Sequence, residues 1–382
     1  MKKRLIINLL CAGIVLSAFF TGCKSSGEDY YQDGLSYYKN SDYGKAVECF
    51  QKAVENDSDN VSYSVYLGMS QLETGDYNGA MNTFGKVVIV EPSNRDAYRG
   101  LGIAYVNCGK YDEAIAALSH AVEYSKKNDN VKIDSMKYLA TCYYETGQYK
   151  EAVDMYTDVI SYSDKDEKDE LYYLRGTCYI KLDDENNATL DYEKSLELNG
   201  TDYNLCCNMY YNFKKAGYVD RGESYLKRII QAQDADSYLK GKTYYILEDY
   251  VQAEKYLIEA YDNGNGEAAY YLAMTYERKE DFEKAENLYK SYMDKHPEDY
   301  GIYNQYGAYL ISRKEYEKAL EFIEKGLKFA KEEQQQELLF NQAVCHEYMG
   351  KYQEAYQLFQ TYLSKYPNDA AAKKELEFLS SR

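Results

Sequence analysis

"GKYDEA", residues 109–114, returns with small changes as "GDYNGA" (75–80), "GQYKEA" (147–152) and "GKYQEA" (350–355). Taking Gly109 as the fifteenth residue of a 34-residue unit brings the rest of the chain into register. Units open at 27, 61, 95, 133, 169, 203, 234, 266, 300 and 336. Four of the nine intervals equal 34, and the others depart from it by two to four residues.

Position 20 is alanine in nine of ten units (Ala46, Ala80, Ala114, Ala152, Ala188, Ala253, Ala285, Ala319, Ala355). Position 8 is Gly or Ala in nine, and position 17 is aromatic in eight. All three prolines, Pro92, Pro297 and Pro367, fall at position 32. These positions describe a helical hairpin. Small residues at 8 and 20 let two helix axes approach within about 8–10 Å. Aromatics at 11, 17 and 24 fill the flanks, which accounts for much of the content of 48 Tyr. Gly75, Gly109, Gly147, Gly217 and Gly350 at position 15 supply the left-handed residue that ends the first helix, and proline stops the second. One hairpin cannot bury its apolar faces alone, so neighbours must stack.

The pattern resembles the tetratricopeptide repeat (TPR) family over residues 27–369. The expected fold is all-α: a right-handed superhelical solenoid of about ten antiparallel hairpins, with 370–382 as a polar-faced capping helix. Cys142, Cys178 and Cys345 occupy position 10, which the family usually fills with alanine, so small core residues are expected there. The unit at 203–236 departs from the pattern with Tyr210 at position 8, Val219 at 17 and Gly222 at 20. Either neighbours repack around it or it softens a joint. The acidic run "SDKDEKDE" (163–170) is expected to be a solvated turn.

Residues 1–22 look like a bacterial lipoprotein signal peptide: Lys2, Lys3 and Arg4, an apolar stretch at 5–20, then "FTGC" ending at Cys23. The resemblance implies that Cys23 is lipidated and becomes the first mature residue, with 23–26 a short tether. The 16-residue apolar stretch is short for a bilayer span, which takes roughly 20 residues. Removing the signal takes away three positive and no negative charges, so the net charge moves from −18 to −21. So acidic a chain is not expected to seek nucleic acid or an anionic lipid surface, and a neutral or basic partner is favoured. Setting aside Cys11 and Cys23 leaves seven cysteines, an odd number without a disulfide framework.

Catalytic patterns are missing. The three histidines, His120, His296 and His346, are scattered, and there is no HExxH, CxxC, GxxxxGK[ST] or GxGxxG. The expectation is a non-enzyme with no cofactor, no metal and no small-molecule substrate. The family resemblance implies instead a concave face lined by positions 2, 5, 9 and 12 of the first helices, which holds a partner protein or extended peptide. Mid-array those positions carry Tyr144, Tyr173, Tyr211, Tyr238, Tyr245 and Tyr270, with Lys137, Lys214, Lys242 and Met274 among them. Tyrosines there serve either as partner anchors or as packing between neighbouring repeats. The carboxylate-clamp pattern of some relatives does not occur in three consecutive units; Lys137, for example, is followed at position 9 by Thr141.

Together these readings give a lipid-anchored interaction scaffold, on the outer face of the cell membrane or on the outer membrane of a two-membrane bacterium. The alternative is a structural subunit of an envelope or secretion assembly, held by its repeat edges.

Overall fold

In a computed structural model of the chain, residues 26–127, 129–199 and 202–382 are described. The expected signal peptide (1–22) and Cys23 lie outside them. The chain divides into two compact units, one up to Gly200 and one from Thr201. All regular elements of the described residues are helical.

The first unit holds five hairpins: α1 (Gly27–Lys39) with α2 (Tyr43–Asn56), α3 (Val61–Thr74) with α4 (Tyr77–Val90), and α5 (Arg95–Asn107) with α6 (Tyr111–Tyr124). It closes with α7 (Asn130–Glu145) and α8 (Tyr149–Tyr162), then α9 (Lys168–Lys181) and α10 (Glu185–Asn199). The second unit pairs α11 (Tyr203–Lys215) with α12 (Val219–Gln231), α13 (Ser237–Ile246) with α14 (Tyr250–Asp262), and α15 (Ala268–Arg278) with α16 (Phe282–Lys295). There follow α17 (Tyr300–Ser312) and α18 (Tyr316–Phe329), α19 (Gln336–Tyr348) and α20 (Tyr352–Lys365), and a final α21 (Ala370–Leu379).

Each hairpin turns through one left-handed residue at position 15. Glycine holds it in five units, but Ser41, Asp183, Glu248, Glu280 and Lys314 adopt it too, at φ between 59° and 62°. The next N–H then donates to the carbonyl five residues back, as Asp76 does to Gln71 (2.9 Å) and Glu315 to Leu310 (2.9 Å). That bond satisfies a carbonyl left open at the helix end. The left-handed conformation is therefore common to all ten hairpins, while glycine is only its cheapest occupant.

The crossing of the two helices is set by a size match. A Cβ on Gly34 would lie 2.6 Å from the Phe50 ring, one on Gly68 2.7 Å from Phe84, and one on Gly307 2.6 Å from Ile323. In each pair the glycine is position 8 and the bulky side chain position 24 of the same unit. The 203–236 unit departs from this relation, with bulky residues at both positions, Tyr210 and Leu226. Its position 8 is Tyr210, and room is made by Gly222, where a Cβ would meet the Tyr210 carbonyl oxygen at 2.9 Å and its ring at 3.1 Å. Tyr210, Phe213, Leu226 and Ile229 are all buried, so the hairpin is closed by repacking. The following α13 is short, ten residues, and opens at Ser237 with Asp236 as its N-cap.

Pro92, Pro297 and Pro367 directly follow the C-cap residues of α4, α16 and α20. Residues 163–170 form a bend, a single 3-10 turn at Lys165–Glu167 and the start of α9, mostly exposed. Helix α21 buries Ala372 and Leu379 in a cluster with Phe359 and Tyr362 and turns its charged residues outward. Cys142, Cys178 and Cys345 are fully buried, and burial pushes each thiol up to about 12.

Candidate functional site

First helices of successive hairpins touch directly, α3 with α5 and α5 with α7 in the first unit, α13 with α15 and α17 with α19 in the second. Within each unit their outward sides form a face on which the predicted tyrosines lie. Three of those rings, Tyr238, Tyr245 and Tyr270, are held between repeats, and two pack within their own hairpin. In the first unit Tyr144 packs against Tyr149 (centroids 5.5 Å apart), and Tyr173 stacks on the buried Tyr192 (5.5 Å).

In the second unit Tyr238 and Tyr245 both set an edge against Tyr271, at 6.1 and 5.7 Å, and the Lys242 ammonium lies over the Tyr271 ring at 5.2 Å. The Tyr238 hydroxyl donates to Glu267, and Arg278 donates to the Tyr245 hydroxyl. Tyr270 donates to Asp299 Oδ1 at 2.5 Å. Glu267 and Asp299 are the N-cap residues of α15 and α17, so Tyr238 and Tyr270 tie one first helix to the start of the next. Burial and those carboxylates hold both phenols well above their ordinary value. Of the six, Tyr211 is the exposed one, at 52 %.

In the first unit charges do the same tying. Arg95 pairs with Asp129, Arg99 with Asp134, and Lys137 with Glu167 (2.7 Å), each linking a first helix to the N-terminal end of the next. Lys137, one of the basic residues anticipated on this face, is thus engaged within the array.

The face opens near the end of the second unit. Two adjoining recesses of about 420 and 340 Å³ share Asn304, Gln305, Gln336 and Glu337 as lining. Tyr270 and Tyr300 border one, and Phe340, Asn341 and Asp369 the other. Asn304 donates from Nδ2 to Glu337 (2.8 Å) and accepts from Asn341 Nδ2 (2.9 Å). An amide group offers two N–H donors and two lone pairs, so these bonds orient the side chains and leave donors and acceptors toward the recess. Beneath them Gln305 bonds the Tyr289 hydroxyl, which donates to Glu277 Oε1 at 2.5 Å. Burial raises the Glu277 carboxyl above its usual range. Glu333, Glu337 and Asp369 are the charged residues among those lining the recesses; none is basic. The register shows amides at positions 5 and 6 of the 300 unit and at 6 of the next, but only the packing of α17 on α19 brings them into one cluster.

Comparison with known proteins decides the family. Tetratricopeptide-repeat patterns match residues 31–90, 94–165, 169–202, 238–300, 270–333 and 337–369. The chain belongs to the tetratricopeptide-repeat family. None of the matched ranges includes 203–237, the segment where Tyr210 and Gly222 repack the crossing. Solved structures similar to this TPR chain include yeast Tom70, at 16% identity, TM-score 0.47, 92% of this chain and 88% of that one. MamA is similar at 24% identity and TM-score 0.41, over 45% of this chain and 91% of its own. YrrB, described as a TPR protein with an unusual peptide-binding site, gives 20% identity and TM-score 0.42 over 47% and 89%. Among curated proteins none matches.

Proposed function

We propose that this TPR protein is a non-enzymatic scaffold, lipid-anchored through Cys23 outside the cytoplasmic membrane, that holds an extended protein segment on its first-helix face. The observation that carries the binding reading is the amide-lined pair of recesses around Asn304, Gln305, Gln336 and Asn341. An extended segment presents alternating N–H and C=O groups. Oriented amides meet both kinds without demanding a particular side chain. Glu333, Glu337 and Asp369 at the rim, with the net charge of −18, favour a neutral or basic segment over an acidic one. Tyr211 and the rings around Tyr271 extend the same reading to the earlier part of the second unit.

Two experiments separate the parts of the proposal. Metabolic labelling with a radioactive fatty acid should mark the wild-type chain and not Cys23→Ser; equal labelling overturns the anchor. Asn304→Ala with Asn341→Ala should weaken binding of the segment identified by in-cell crosslinking at least tenfold, about 1.4 kcal/mol. Unchanged affinity overturns the groove and favours attachment through the repeat edges.

A further inference from the structure

Among the described residues, Ile89 and Val90 are the most exposed large apolar side chains, at 79 % and 67 %. They close α4, after the buried Val87 and the half-buried Val88. Their place in the first unit can be fixed from contacts. Tyr63, in the first turn of α3, donates its hydroxyl to Glu28 at 2.9 Å, in the first turn of α1. A Cβ on Gly27 would lie 3.3 Å from the Tyr63 ring. Val61, the first residue of α3, packs in one cluster with Val87 and Val88. The start of α1, the start of α3 and the end of α4 therefore share one edge. The next hairpin ends on it too: Tyr124, 40 % exposed at the last residue of α6, meets Tyr98 in the first turn of α5 (6.0 Å).

This is the edge from which the anchored end of the chain would leave. Three residue steps separate Ser26 from Cys23, a reach of at most about 11 Å. Tyr124 itself borders a polar recess of about 480 Å³, lined also by Ser93 and Asn94, which follow α4 closely in the chain, and by Arg95, Asp96, Lys126 and Asp129. It carries two groups of each sign, whereas the chain as a whole is strongly acidic.

We propose that this edge rests on a zwitterionic lipid bilayer. Ile89 and Val90 enter the boundary between headgroups and acyl chains. Tyr124 sits at headgroup level, where an aromatic ring with a polar tip is favoured. In the recess Arg95 is held by Asp129 and Asp96, and the exposed Lys126 ammonium meets the phosphate of a headgroup. The proposal rests on the Cys23 anchor, which supplies the proximity, and adds an orientation: the first unit stands on its helix-start edge. The hairpin turns, on the opposite edge, point away from the membrane.

The natural chain has no tryptophan, so a single introduced indole is a clean reporter. Full-length Ile89→Trp is purified in detergent and reconstituted with phosphatidylcholine vesicles brominated on the acyl chains. Leu182→Trp, on a hairpin turn of the same unit and 41 % exposed, is the comparison. The expected result for Ile89→Trp is a blue-shifted emission, quenched several-fold more strongly than that of Leu182→Trp, with Val90→Trp behaving as Ile89→Trp. If the protein floats with the vesicles while the indoles of all three variants stay equally unquenched, the edge proposal is overturned and the anchor stands. If wild type fails to float, as Cys23→Ser should, the anchor fails and the orientation with it.

Discussion

Tyr210 and Gly222 face each other across the α11–α12 crossing, and a Cβ on Gly222 would lie 2.9 Å from the Tyr210 carbonyl oxygen. Elsewhere the first helix contributes the small residue and the second the large one; Gly102 against Leu118 is such a pair. Here the first helix contributes a large residue as well, Leu226 keeping position 24, and Gly222 at position 20 makes the room. Gly222→Ala should cost about 1–3 kcal/mol by overpacking against backbone. Tyr210→Ala should cost about 3–5 kcal/mol, the range for emptying a buried aromatic site. Because the two sites touch, the double variant should show a coupling of about 0.5–3 kcal/mol. Denaturant midpoints of the four proteins give that number, and strict additivity would remove the compensation argument.

Left-handed residues that are not glycine store a local cost. Glu248, Glu280 and Lys314 hold φ near 60° at the hairpin turns of the second unit. Replacing each by glycine relieves about 1–2 kcal/mol of conformational strain and gives part of it back as unfolded-chain entropy. Each variant should gain about 0.5–1 kcal/mol, and Gly350→Ala should lose about 1 kcal/mol. Thermal melts of the single variants test this.

The register of the repeats, the small residues at the crossings and the buried cysteines were legible in the sequence because each recurs at a fixed spacing. Gly34 against Phe50 is written nine times over with variations. What could not be read was how a residue on the first-helix face spends its side chain. Tyr270 and Tyr211 occupy equivalent kinds of position, yet one is tied to Asp299 and the other is exposed. Both following hairpins open on an acidic N-cap, Asp236 and Asp299, but Tyr270 stands at position 5, near the helix start, and Tyr211 a turn further on at position 9; such a contact between repeats is one that no single repeat encodes. The amides at 304, 305 and 341 were missed for the related reason that a recess is defined by several helices at once.

The Tyr270 tie has a measurable consequence. Asp299 accepts from Tyr270 at 2.5 Å, from Tyr292 at 3.1 Å and from the Gly301 N–H at 3.0 Å. Tyr270→Phe keeps the ring and removes one charge-assisted bond, which should cost about 1.5–3 kcal/mol. Hydrogen exchange should quicken at the start of α17 and remain unchanged in α1–α4. Loss of protection throughout the chain would contradict a tie local to one junction.

Cysteine reactivity should follow burial. Cys108 is exposed, whereas the thiols of Cys142, Cys178 and Cys345 are buried and pushed up to about 12. Iodoacetamide should alkylate Cys108 in the native protein and reach the other three only after denaturation, at pH 7 and at pH 9 alike. Peptide mass spectrometry reads the order directly.

Glu277 gives the second unit an acid-side signature. Its folded carboxyl is raised by burial, so the folded state binds the proton more tightly than the unfolded chain. The stability from this group is present below the ordinary carboxylate range and is lost as pH rises through the raised value. Glu277→Gln can still accept from Tyr289 and should flatten that part of the stability profile, read as denaturant midpoints across mildly acidic pH.

The central claim is that the first-helix face near α17 and α19 holds the partner. A photo-crosslinking amino acid at Ala308, an exposed residue lining the recess, is compared in living cells with one at Glu324, exposed on the second helix of the same hairpin. The account predicts a discrete protein adduct from position 308, lost when Asn304 and Asn341 are changed to alanine, and none from 324. An adduct from 324 with nothing at 308 would contradict it.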